Sequence, residues 1–282
     1  MKTVDIGAVL DDGPWTGYQK LLILATALTI IFDGVDMQLL GAALPALMAE
    51  WGQPRSLFTH VFASSLVGMM VGGAIAGLLG DRFGRRFALL SSVFVFGAAT
   101  VALVAVNDIL TLGVLRFFAG LGLGGAIPNA TALAAEYVPR RHRPFAVTLT
   151  VVCVPLGGTL AGLVGAQVLP QLGWRALFGI GGALPLLLGV FLIWALPESP
   201  RYLARRRERW PELVSLLGRM QRRVPADAAF SDPTETAAST SLRELFVPEF
   251  KRDTIALGAS FFFCLLAAYA GEIGRASCRE RV

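Results

Sequence analysis

Charged residues are scarce in this chain of 282 residues. Asp, Glu, Lys and Arg together make up 16% of it, whereas about 25% is usual for a soluble domain. Hydrophobic residues account for 55%, and the mean hydropathy is +0.62. This composition leaves too little polar surface for a soluble fold. We therefore predict an all-α polytopic membrane protein.

Cysteine and histidine are also few. Cys153 and Cys264 lie inside apolar runs and Cys278 lies near the end, which indicates neither a disulfide framework nor a metal site. His60 opens the second apolar run and His142 lies among arginines in a loop, so we expect both on the solvated surface. The sequence contains no HExxH, GxSxG or paired histidines. We expect no enzyme activity and no bound cofactor.

Long apolar runs dominate the first two thirds of the chain. Each has about the 20 residues needed to cross ~30 Å of hydrocarbon, and short polar loops join them. The predicted helices span residues 21–46, 57–79, 87–106, 109–137, 145–169 and 176–196. We predict a six-helix bundle over 21–196, a polar linker over 197–253 and a seventh helix over 254–271.

Arginines gather in alternate loops. Since positive charge favours the cytoplasmic side, the pattern places residues 1–20 and the linker in the cytoplasm, at an inner (plasma) membrane. It also explains the net charge of +5 without nucleic acid as a partner. The arginine-rich segments carry Arg82, Arg85, Arg86, Arg140, Arg141, Arg143 and five arginines within 201–209, whereas the opposite loops carry Arg55 and Arg175.

Two acids stand in the middle of the first apolar run, in Asp33-Gly-Val-Asp36. Spacing of i and i+3 puts both on one face of a helix, and ionisable groups at membrane depth usually mark a pathway for ions or substrate. The alternative is a buried acid that merely pairs with a neighbouring helix. Asp33 lies ~20 Å above the inner boundary, and Arg116 lies ~13 Å below the outer boundary of a ~30 Å core.

These depths agree within a few ångströms and predict that Arg116 approaches the acids. The acids would tend to share one proton, because like charges disfavour double ionisation. Alternatively, Arg116 binds a substrate carboxylate directly while the acids relay the proton. Both uses remain open at this point.

Two ordered motifs follow. The first is Gly77-Leu-Leu-Gly-Asp81-Arg82-Phe-Gly84-Arg85-Arg86, and the second is a glycine-rich stretch from Arg116 to Pro128, followed by Glu136 and Arg143. The stretch contains a GxGxxG match, but no strand precedes it, so we reject nucleotide binding. Together the motifs resemble the major facilitator superfamily of secondary transporters. The resemblance implies a conformational latch formed by Gly77, Asp81, Arg82, Gly84, Arg85, Arg86, Glu136 and Arg143.

The Asp-Gly-x-Asp motif, with Ala49-Glu-Trp-Gly52 after it, resembles the aromatic acid:proton symporter branch of that superfamily. The resemblance implies that the protein imports benzoate- or hydroxybenzoate-like anions with protons, across a lipid bilayer, using the proton gradient. In that branch the acids of the first helix and the latch loop are required for uptake, a role carried here to Asp33, Asp36, Gly77, Asp81 and Arg85. Another organic acid or a sugar as cargo, and an inactive half-transporter, are the alternatives.

The end of the sequence departs from these patterns. Residues 272–282 place Arg275, Arg279 and Arg281 on the predicted outer side, and they resemble a translated sequencing adapter. We predict that they are an artefact and that the true protein is longer; a genuine basic tail is the alternative. The resemblance thus covers the amino-terminal half of a transporter and the start of its second half.

Overall fold

The computed structural model describes residues 3–222, 224–225, 229–231, 247, 251–257, 259–260 and 263. The chain divides into two units, Met1–Asp232 and Pro233–Val282. In the second unit, residues 251–257 are helical. Most of the predicted linker after 225, the end of the seventh helix beyond 263 and the predicted artefact at 272–282 lie outside the described residues.

Long helices make up most of the first unit, in line with the predicted all-α fold. Five of the described helical stretches are long and apolar enough to cross a membrane. The elements in chain order are β1 (Thr3–Asp5), α1 (Ile6–Asp11), α2 (Gly17–Trp51), α3 (Arg55–Phe83), α4 (Arg85–Ala102), α5 (Ile109–Tyr137), α6 (Arg143–Ala195), α7 (Pro200–Ala204), α8 (Trp210–Arg219) and β2 (Ala229–Ser231).

Helix α6 is interrupted at one glycine. It contains 53 residues, which at ~1.5 Å per residue would extend ~80 Å, more than twice the hydrocarbon core. Gly173 has φ 75° and ψ 177°, a conformation outside the helical region that glycine adopts at little cost. The helix therefore has an amino-terminal arm (143–172) and a carboxy-terminal arm (174–195). The five long helices thus supply six potential crossings.

Side-chain caps fix where two of these helices begin. The Thr16 hydroxyl accepts a hydrogen bond from the Gln19 N–H, and the Gln19 side chain accepts one from the Thr16 N–H, forming a capping box before α2. The Asp108 carboxylate accepts the Thr111 N–H at 2.8 Å before α5. This bond favours the ionised form and lowers the pKa of Asp108.

Glycines let the helices touch backbone to backbone. A Cβ atom placed on Gly72 of α3 would lie 1.9 Å from the Leu121 carbonyl oxygen of α5. A Cβ atom on Gly34 of α2 would lie 2.2 Å from the Val154 carbonyl oxygen in the amino-terminal arm of α6. Small residues permit this close packing in membrane bundles. Helix α2 therefore packs against the amino-terminal arm of α6, and α3 packs against α5.

The short elements form a layer at the end of the bundle that carries Gly84. Strands β1 and β2 pair in parallel, which the sequence had not predicted. The apolar face of α8, with Leu213 and Leu217, is buried in one cluster with Ile6 and Leu10 of α1. The sequence of residues 210–223 predicts a short amphipathic helix on the membrane surface. The structure has a helix over 210–219, and its apolar face packs against α1.

Candidate functional site

A buried group of polar side chains joins three helices in the middle of the bundle. Asp36 of α2 accepts a hydrogen bond from Nη1 of Arg116 in α5 at 3.1 Å. Its other carboxylate oxygen accepts the hydroxyl of Thr100 in α4 at 2.5 Å. Arg116 is 2% exposed, and the other two side chains are 0% exposed. These three residues are called the central cluster below.

An aromatic ring covers the guanidinium. Cζ of Arg116 lies 4.9 Å from the centroid of Phe178, a fully buried residue in the carboxy-terminal arm of α6. This distance allows a cation–π contact. The Nε and Nη2 atoms of Arg116 are buried without a hydrogen-bond partner among the described residues. The guanidinium therefore retains donors that no described protein group uses.

The second acid of the motif lies apart from this ion pair. Asp33 is 0% exposed, and neither of its carboxylate oxygens has a hydrogen-bond partner in the described part of the chain. The sequence predicts that Arg116 approaches both acids, but its hydrogen bonds are to Asp36. Residues three apart share a helix face yet differ by ~4.5 Å along the axis, which is enough to separate their partners.

The predicted latch residues lie at the Gly84 end of the bundle. Asp81 and Arg85 form an ion pair of 2.6 Å. The turn between α3 and α4 needs Gly84, whose φ is 107° and at which a Cβ atom would lie 2.2 Å from an oxygen of Glu198. The Glu198 carboxylate is buried and accepts the Arg86 N–H at 3.0 Å. The segment after α6 thus holds the turn in place.

A small polar pocket adjoins this turn. Glu136 accepts a short hydrogen bond from the Ser199 hydroxyl, and Arg85 lines the same pocket. The pocket is lined by Gly80, Asp81, Arg85, Glu136, Ser199, Arg201, Tyr202 and Arg205.

The remaining predicted latch residues have separate contacts. Arg143 pairs with Asp11 at 2.6 Å, on the amino-terminal segment. The carbonyl oxygen of Arg82 accepts the hydroxyl of Tyr202 at 3.3 Å. A Cβ atom on Gly77 would meet nothing within 4 Å. The predicted set is therefore divided over neighbouring contacts and does not form one cluster.

Several residues of both sites are not predicted from the sequence. Thr100 and Phe178 stand in apolar runs without any motif around them. Glu198 and Ser199 belong to Pro197-Glu-Ser-Pro-Arg201, which also resembles sugar and organic-ion porters. That resemblance selects no substrate. The position of Glu198 directly after an apolar run is the sequence feature that is consistent with its segment folding back onto the bundle.

Comparison with known proteins identifies the family. Residues 26–272 match the family model of the Major Facilitator Superfamily. The chain belongs to this superfamily. It is 35% identical over 268 residues to a gallate transporter of Pseudomonas putida, covering 94% of this chain and 60% of that protein. It is also 35% identical over 271 residues to the 4-hydroxybenzoate transporter PcaK of Pseudomonas putida, covering 95% and 60%.

Two further matches have lower identity; one is a relative and the other is a solved structure that bears on the fold. A benzoate transport protein of Acinetobacter baylyi (strain ATCC 33305 / BD413 / ADP1) is 30% identical over 281 residues, covering 95% of this chain and 59% of that protein. The chain thus spans about 60% of the length of these relatives.

The xylose transporter XylE from E. coli, in a partially occluded inward-open conformation, superposes with a TM-score of 0.63 at 23% identity, covering 73% of this chain and 54% of that one. The predicted fold class and family are confirmed, and the chain is a multi-pass membrane protein of a transporter family.

Proposed function

We propose that this chain forms the amino-terminal bundle of a secondary transporter that imports small aromatic carboxylates together with protons. Relatives named for gallate, 4-hydroxybenzoate and benzoate support the class of substrate. Alternating access by rocking of two bundles is the mechanism usual for such folds. The transporter requires no cofactor, and the proton gradient supplies the energy.

The central cluster is the observation that carries this proposal. A charged pair buried in an apolar bundle is costly, and such pairs commonly mark substrate or ion pathways. Nη1 of Arg116 donates a hydrogen bond to the Asp36 carboxylate, and Nε and Nη2 have no hydrogen-bond partner among the described residues. Arginine can bind a carboxylate through two parallel N–H donors. The substrate carboxylate therefore binds Arg116 next to Asp36, or displaces Asp36 from it during the cycle.

Asp33 is the proposed proton-binding residue. An ionised carboxylate without a partner is costly inside a membrane bundle, and the described residues give Asp33 no hydrogen bond. A bound proton removes this cost. Because Asp36 stands one turn away on the same helix, a proton on one acid and the ion pair of the other are coupled through their charges.

The Gly84 end is the proposed cytoplasmic side, with the amino terminus inside the cell and the bundle in the inner membrane. The arginine-rich loops support this orientation. The latch is the ion pair between Asp81 and Arg85 with the buried Glu198 behind the turn, and it opens when the two halves of the transporter rock. Glu136 contributes through Ser199, whereas Arg143 ties the loop before α6 to Asp11.

Uptake by cells that lack their own aromatic acid transport tests the proposal. We expect accumulation of labelled 4-hydroxybenzoate, loss of that accumulation when a protonophore collapses the gradient, and competition by benzoate but not by glucose or a dicarboxylate. Competition by glucose or the dicarboxylate alone would assign the other cargo named above. Absence of any uptake by correctly inserted protein would support the inactive half-transporter.

A further inference from the structure

The motif Ala49-Glu-Trp-Gly52 has no role in the mechanism above, yet Glu50 has two strong partners. Glu50 lies at the end of α2 opposite the Gly84 turn. Its carboxylate accepts Nε1 of Trp174 at 2.6 Å and Nη1 of Arg175 at 2.7 Å. Arg175 also donates to the side chain of Asn107, in the loop between α4 and α5, at 2.9 Å. Glu50 and Arg175 together therefore link the end of α2, the start of the carboxy-terminal arm of α6 and the loop between α4 and α5.

These bonds are made directly after the interruption of α6. The backbone of Gly173 leaves the helical region, so regular main-chain hydrogen bonding does not by itself set the direction in which the carboxy-terminal arm departs. Trp174 and Arg175 are the first two residues of that arm. Their bonds to Glu50 fix the start of the arm relative to α2.

One turn further along the arm, Phe178 reaches the central cluster. Trp174 and Phe178 are four residues apart and face the same side of the helix. Their ring centroids are 5.9 Å apart in an edge-to-face arrangement, and both side chains are almost fully buried. Phe178 in turn covers the guanidinium of Arg116 at 4.9 Å. A continuous set of contacts thus leads from Glu50 to Arg116.

We propose that Glu50, Trp174 and Arg175 form a clasp that positions Phe178 over Arg116 and thereby orients the guanidinium towards Asp36. The three residues are positioning residues, since none of them contacts the central cluster directly. The consequence for substrate binding rests on the proposed function of Arg116. The clasp itself does not, because its geometry is independent of which molecule is transported.

A fluorine probe at the end of the contact path tests the clasp without any transport assay. Phe178 is replaced by 4-fluorophenylalanine, and its ¹⁹F resonance is recorded in purified protein. Arg116→Lys removes the planar guanidinium from the ring face. The change in chemical shift in this variant is the reference for a lost contact between Phe178 and Arg116. We expect Glu50→Gln to move the resonance by more than its linewidth. Arg175→Gln, which loses the ion pair with Glu50 but leaves both aromatic rings in place, moves it in the same direction.

A matched control is available in the ion pair of Arg209 and Glu212 on α8. Its side chains are 34% and 44% exposed, close to the 38% and 41% of Arg175 and Glu50. Glu212→Gln therefore removes a comparable charge far along the chain from the clasp and leaves the resonance unchanged. If Glu50→Gln does not fold, Arg175→Gln provides the test instead.

An unmoved resonance in both clasp variants, or in Arg116→Lys, overturns the proposal whatever the uptake data show. Uptake then separates the two proposals. If Arg116 binds the substrate, Glu50→Gln raises the KM for 4-hydroxybenzoate about fivefold, the factor that corresponds to ~1 kcal/mol of cation–π contact. A moved resonance with an unchanged KM supports the clasp and removes Arg116 from substrate binding.

Discussion

Replacement by asparagine should destabilise the protein at Asp36 but not at Asp33. The two residues share a helix, a side-chain type and complete burial, so neither exposure nor side-chain volume distinguishes them. They differ in their partners. The Asp36 carboxylate accepts hydrogen bonds from Arg116 and Thr100, whereas Asp33 has no hydrogen-bond partner among the described residues.

The expected magnitudes follow from this difference. Removing one partner of a buried ion pair costs ~3–5 kcal/mol, because the other charge stays buried without compensation. Asparagine keeps an oxygen that accepts one hydrogen bond, so we expect the lower limit, ~3 kcal/mol, for Asp36→Asn. At ~2–4 °C per kcal/mol for a chain of this size, the unfolding midpoint falls by ~6–12 °C. Asp33→Asn removes a charge without a described partner and leaves the midpoint unchanged or higher.

Thermal unfolding of the purified variants in one detergent at neutral pH measures both midpoints. The double variant Asp36→Asn/Arg116→Gln serves as a control, since neutralising both partners should recover part of the loss. Asp33→Asn should also abolish proton-driven accumulation while leaving membrane insertion intact. Equal midpoints for the two single variants would refute the assignment of partners, and unchanged accumulation would rule out Asp33 as the coupling residue.

Three further substitutions test separate contacts. Thr100→Val removes the hydroxyl bound to Asp36 and should cost ~1.5–3 kcal/mol, measured by thermal unfolding; Thr100→Ser should restore most of it, and a Val variant as stable as wild type would contradict the bond. Gly84→Ala combines a positive φ with a blocked Cβ position and should cost at least ~2 kcal/mol; normal stability would show that the turn adjusts. Gly157→Ala places a Cβ atom 2.1 Å from a carbonyl oxygen of α2 and should cost ~1–3 kcal/mol, whereas Gly162→Ala, with nothing within 4 Å, should cost almost nothing. Equal losses at the two glycines would argue against the close helix contact.

Only some of the glycines of α3 make the close contacts that their spacing predicts. All of Gly68, Gly72, Gly73 and Gly77 fit the small-residue spacing that predicts close packing. Gly68 and Gly72 meet the backbone of α5, whereas Gly77 meets nothing within 4 Å. Spacing identifies the packing face of a helix, but the length over which the partner helix stays close depends on the crossing of the two helices.

Properties that arise within single segments could be predicted from the amino-acid sequence alone. Apolar runs of membrane length predict the crossings, and the ordered motifs around Asp81 and Arg116 indicate the superfamily that the family match confirms. The alternating arginines predict an orientation, which stays a prediction. The side chains that contact one another could be identified only from the packing of the helices. Helix packing pairs Arg116 with Asp36 rather than with Asp33. It also brings Thr100 into the central cluster and Phe178 against it, and places the Glu198 carboxylate against the backbone N–H of Arg86. The physical reason is that such contacts depend on the rotation and axial offset of packed helices, which are set by side chains on both partners and not by the periodicity of either one.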